Sequence, residues 1–111
     1  MEQTRQEKVA RLIQKELGDI FLQYARKQQG VLISVTHVNV TSDLSIARVY
    51  ISLFPQDKSQ NLFDMLQANI KTVRFELGQR LRHQLRIIPE LTLYLDDSLD
   101  YSEHIDNLLK Q

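Results

Sequence analysis

Apolar side chains near the start of the chain recur at three- and four-residue steps: Val9, Leu12, Ile13, Leu17, Ile20, Phe21 and Tyr24. That spacing lays one apolar stripe along a helix of 3.6-residue period. Arg5, Lys8, Arg11, Lys15 and Glu16 fall largely off the stripe. Gly30 supplies the stop, because glycine enters the left-handed cap without a Cβ penalty. The period then changes. Residues 31–40, VLISVTHVNV, are dense in β-branched side chains and read as a strand. Their alternation shifts phase, with Ile33 and Val35 on one face and Val38 and Val40 on the other. A bulge near Thr36-His37 would produce that shift, with Val38 and Val40 as the core pair. After a polar turn at Thr41–Leu44, a second strand points Ala47, Val49, Ile51 and Leu53 inward and Arg48, Tyr50 and Ser52 outward. Phe54-Pro55 ends it, since proline has no ladder donor. The two strands are expected to form an antiparallel hairpin.

Ser59 is the expected N-cap of a second long helical segment. Leu62, Leu66, Ile70, Val73, Leu77, Leu81 and Leu85 carry its apolar stripe. The segment is long for a helix in a small domain, so a kink is expected around Asn69–Thr72 or at Gly78. Pro89 stops any continuation. A third strand follows, with Leu91, Leu93 and Leu95 inward and Thr92 and Tyr94 outward. A short helix from Tyr101 to about Leu109 closes the chain, capped by Asp100 or Ser102. The crossover from strand two to strand three runs through helices and should be right-handed, making those strands parallel. The predicted class is α+β: a three-stranded mixed sheet with helices on one face, in a single domain over residues 1–111.

Charge changes this picture more than composition does. The 111 residues contain 14 cationic and 14 anionic side chains, but they are segregated. Residues 71–86 hold Lys71, Arg74, Arg80, Arg82 and Arg86 against Glu76 alone, while residues 87–111 hold six carboxylates against Lys110. Recognition responds to such local fields rather than to the total. No cysteine is present, which excludes disulfides, zinc–thiolate sites and thiol nucleophiles. The N-terminus is charged throughout and does not read as a secretory signal, so a cytoplasmic location is expected. No apolar run approaches the roughly 18 residues of a membrane span.

The basic segment is the candidate site. Lysine and arginine can replace the counterions around a phosphate backbone, and arginine adds bidentate geometry. By helical phase, Lys71, Arg74 and Arg82 line up beside the apolar stripe, Arg86 lies at the margin, and Arg80 and His83 are set aside. Arg5, Lys8 and Arg11 on the first helix extend the surface. The opposing interpretation is a solvated helix face with an intrahelical Glu76–Arg80 pair. Tyr50 and Tyr94 point away from the core and are candidates for base stacking, or ordinary strand residues. Asp96, Asp97 and Asp100 lack calcium-loop spacing and read as a solvated, helix-capping turn. His37, His83 and His104 show no metal spacing. No nucleophile elbow, triad or phosphate-cradling loop occurs. Neither enzymatic activity, nor a catalytic or metal site, nor a cofactor is expected.

Several words along the chain, in order, resemble one family. They are Arg5-x-x-Lys-Val, the stretch Val38 to Ala47 (VNVTSDLSIA), Val49 to Pro55 (VYISLFP), Val73 to Leu81 (VRFELGQRL), Leu85 to Leu91 (LRIIPEL), Asp96-Asp-Ser-Leu, and Ile105-Asp-x-Leu-Leu. Together they are similar to ribosome-binding factor A, a bacterial small-subunit assembly factor. The resemblance implies a type II KH-like fold and a non-enzymatic, RNA-binding role. It implies binding to the immature 30S subunit and assistance in late maturation and processing of its 16S rRNA; the acidic C-terminal segment could also contact ribosomal proteins. A monomer without membrane contact is expected. The family marks a helix-kink-helix with Ala-x-Gly; the matching positions here are Asn69-Ile70-Lys71. The alternative is a protein-interaction module without direct RNA binding.

Overall fold

The computed structural model describes residues 4–28 and 30–96. The elements are α1 (Arg5–Arg26), β1 (Leu32–Val40), β2 (Ile46–Phe54), a 3-10 turn (Gln56–Lys58), α2 (Ser59–Ala68), α3 (Ile70–Leu81) and β3 (Glu90–Leu95). The sheet order is β1-β2-β3, with β1 antiparallel and β3 parallel to β2. This is the α+β, type II KH-like arrangement expected from the sequence. The predicted terminal helix lies outside the described residues.

The phase shift in β1 is a bulge. Pairing with β2 slips between Val35 and His37, leaving Thr36 as the additional residue. The slip turns Ile33 back onto the side of Val38 and Val40, so all three are buried. The core joins them to Ile13, Leu17, Ile20 and Phe21 of α1, to Ala47, Val49 and Ile51 of β2, and to Leu93. Val73, Leu77 and Leu81 of α3 are fully buried in the same cluster.

Four expectations are corrected. Ser59 is not an N-cap: it is the first residue of α2, and its hydroxyl donates to Gln56 O at 2.8 Å. The turn that begins after Pro55 has already started the chain coiling. Gly30 does take a left-handed φ of 73°, but α1 ends earlier, at Arg26 with Lys27 as C-cap, so Gly30 shapes the following turn. Leu95 does not point into the core and is 39% exposed, because it stands at the far end of a strand whose buried centre is Leu93. The basic helix stops at Leu81 rather than running on through Leu85. Leu81 O accepts from both Gln84 N (2.9 Å) and Leu85 N (2.8 Å), closing a final turn. The chain must reverse there, because Glu90 N has to reach Ser45 O (2.9 Å) to begin β3 beside β2.

The kink falls at Asn69, which has φ −103° and ψ 13°. Its side-chain amide donates back to Met65 O at 2.8 Å, and its backbone N–H is shared between Met65 O and Leu66 O, both at 3.1 Å. Asparagine competes in this way with the regular helical ladder. Gly78 remains inside α3 without a break.

Candidate nucleic-acid interface

The end of α3 and the loop into β3 carry Arg80, Arg82 and Arg86. Arg82 is exposed in the turn after α3, and Arg86 is exposed in the loop. Two concavities flank that loop. One is a groove of about 770 Å³ between α3 and β3, lined by Lys71, Arg74, Phe75 and Ile88 among others. The other is a pocket of about 360 Å³ where α1, the β1–β2 turn and the loop meet; Arg5, Asp43, Arg86, Ile87 and Pro89 line it. Arg5 of α1 and Arg86 of the α3–β3 loop thus share one pocket. Lys71 and Arg74 share the other. Lys8 and Arg11 are exposed on α1 beyond Arg5.

Among the expected cations, Arg74 and Arg80 are engaged by the protein itself. Arg74 donates from Nε to Pro89 O (3.1 Å) and from Nη2 to Ile88 O (2.6 Å). It ties α3 to the loop. Arg80 does not make the Glu76 pair; it reaches across to Glu16 (3.3 Å) and Asp19 of α1. Hydrogen bonding to Asp19, and secondarily to Glu16, holds the Arg80 guanidinium even more firmly protonated than usual. Both ion pairs are partly solvated, so each contributes less than about 1 kcal/mol.

Arg74→Ala is expected to release the loop rather than the core. Hydrogen exchange over residues 87–91 should rise, while the stability loss stays near 1 kcal/mol, the scale of a hydrogen bond in solvent-exposed surroundings. Unchanged exchange in that segment would show that Arg74 does not hold it.

The β1–β2 turn forms the acidic wall of the smaller pocket. Asp43 accepts from Thr41 Oγ1 (2.7 Å), Ser45 Oγ (2.8 Å) and Ser45 N (3.1 Å). The Thr41 hydroxyl above all, then Ser45, holds its carboxyl below the usual carboxylate range. Leu44 beside it takes a φ of 62°, uncommon for a residue with a Cβ. The carboxylate is spent on the turn, and the two guanidinium side chains outnumber it.

The sheet face away from the helices bears a cross-strand aromatic row. Tyr50 and Tyr94 stack with centroids 5.1 Å apart, and His37 lies 5.8 Å from Tyr50. The tyrosines therefore point outward as the strand alternation predicts, yet each covers part of the other. Among the exposed side chains not singled out from the sequence are Phe75 at 66% and Ile87 at 72% exposure. The signal for Ile87 was present in Ile87-Ile88-Pro89, where opposite-facing neighbours cannot both enter the core. No group of three or more potential metal ligands and no membrane-length apolar helix occurs among the described residues.

Comparison with known proteins places this arrangement. The ribosome-binding factor A family profile matches residues 5–109. Ribosome-binding factor A of Flavobacterium psychrophilum is 47% identical, over 98% of this chain and 85% of the relative. That of Cytophaga hutchinsonii is 46% identical, over 100% of this chain and 84% of the relative. The crystal structure of ribosome-binding factor A from Thermus thermophilus superposes with a TM-score of 0.68 at 16% identity, covering 83% of this chain and 97% of that one. A homology model of the Thermus thermophilus factor, fitted into a cryo-EM map of its 30S complex, superposes with a TM-score of 0.55 at 18% identity over 75% of this chain and 90% of that one. With the family match spanning almost its whole length and close relatives sharing nearly half its residues, this chain belongs to the ribosome-binding factor A family.

Proposed function

We propose that this protein binds the immature small ribosomal subunit through the phosphate backbone of its 16S rRNA and assists late maturation and processing of that RNA, without catalysing a reaction. The observation that carries the reading is the convergence of Arg5 and Arg86 on one pocket, with Arg82 exposed in the turn that leads into the loop. Guanidinium groups from separate elements can bracket a phosphate and fix its direction. Lys71, Lys8 and Arg11 extend the contact. Arg74 and Arg80 serve it from behind: one holds the loop, the other holds α3 to α1. The family's name and the 30S complex of the Thermus thermophilus factor support the choice of partner.

Sedimentation with purified immature small subunits over a salt series tests the reading. Log affinity should fall linearly with log salt as counterions are released. Binding that is indifferent to salt would instead favour the aromatic face of the sheet as a protein-docking surface, the second reading that the Tyr50–Tyr94 stack allows.

A further inference from the structure

We infer that Ile87 is an apolar wedge that inserts between two bases of the bound RNA; the inference rests on the RNA reading above. A single exposed isoleucine is ordinary on most surfaces. This one differs in how it is held. Among the described residues Ile87 has the greatest exposure of the large apolar side chains, at 72%. The next two residues are fixed. Ile88 packs against the core, with its Cγ1 3.5 Å from where a Cβ on Gly78 would stand. Pro89 is fully buried. Arg74 ties down both carbonyl oxygens, at 2.6 Å for Ile88 and 3.1 Å for Pro89. The loop therefore presents its apolar tip on a fixed base.

The surroundings of the tip select the ligand. Ile87 forms part of the pocket that Arg5 and Arg86 line, so an apolar prow stands beside two guanidinium side chains. A purely apolar partner would leave those charges desolvated without compensation. A nucleic acid satisfies both: phosphates meet the arginines, and the isoleucine slides into an unstacked base step. Proteins that distort nucleic acids use Ile, Leu, Phe or Met in this way, offsetting the lost stacking with backbone contacts. RNA bases that are already splayed at a loop or junction would take the wedge at least cost.

Ile87→Ala, Ile87→Leu and the Arg82→Glu/Arg86→Glu double variant are compared for binding to immature small subunits and for 2′-hydroxyl acylation of the 16S rRNA. Wild-type protein should raise the reactivity of a few adjacent nucleotides at its site. Ile87→Ala should keep its melting temperature and its salt slope, bind about ten-fold more weakly, and lose that local reactivity. Ile87→Leu should restore both. Wild-type affinity and reactivity for Ile87→Ala would overturn the wedge. So would weaker binding with the reactivity intact, which would seat Ile87 on a ribosomal protein. The double variant separates the two ideas. If it binds as tightly as wild type, the RNA reading itself fails; if it alone loses binding, only the wedge fails.

Discussion

Replacing Arg82 and Arg86 together with glutamate is expected to strip the protein from immature small subunits while leaving it folded. Both side chains are exposed, Arg82 as the C-cap of α3 and Arg86 in the loop beyond it, so neither change reaches the core. Each substitution removes a positive charge and adds a negative one at the surface proposed to face phosphate. Losing two phosphate contacts lowers the magnitude of the salt slope by roughly 1.4–1.8. The added repulsion should push affinity down by more than about a hundred-fold at moderate salt. Co-sedimentation at fixed salt, with thermal melting as the folding control, measures both parts. Retained co-sedimentation would remove this surface from the binding account. The choice of pair matters. Arg74→Glu would confound the result, since Arg74 holds Ile88 and Pro89 in place.

Leu77→Ala is expected to act through stability instead. Leu77 is fully buried in α3, in the cluster that joins α1 to the sheet. Truncation loses its transfer free energy and leaves a cavity, together about 2–5 kcal/mol. In a domain of this size that corresponds to a fall in melting temperature of roughly 10 °C or more. Phe75 provides the contrast from the same helix, only two positions away. It is 66% exposed, so Phe75→Ala should change stability by less than about 0.5 kcal/mol despite deleting a larger side chain. Urea denaturation of the two variants reads the difference directly. Equal losses would mean that the phase of α3 is wrong.

The elements were legible because their burial is periodic. Alternation in β2 and three- and four-residue steps in α1 each name a face, and those faces are buried. Even the bulge left a mark, since Ile33 and Val38 can share a face only if the register slips between them. Ends and breaks were less legible because local signals compete there. Asn69 and Gly78 are both credible breakers. What separates them is the back-bond from the Asn69 side chain to Met65 O, and the burial of Val73, Leu77 and Leu81 on an α3 that runs unbroken past Gly78. Ser59 has the chemistry of a cap, but the turn at Gln56–Lys58 starts the helix before it.

The candidate site divides along similar lines. Its charge was readable residue by residue. Which charges remain available to a ligand was not, because their partners are distant in sequence. Arg80 finds Glu16 and Asp19 on another helix, and Arg74 finds two carbonyls across the loop. Nor does periodicity place Arg5 next to Arg86; only the return of the chain through β3 does that. The structure thus turns a row of cations on one helix into a surface built from three elements around the Ile87–Pro89 loop.

Ultraviolet cross-linking of the wild-type protein to immature small subunits, followed by mass-spectrometric mapping of nucleotide adducts, tests that surface most directly. Adducts are predicted on peptides spanning residues 82–88 and 5–11. Adducts confined to the opposite sheet face, around Tyr50 and Tyr94, would contradict it.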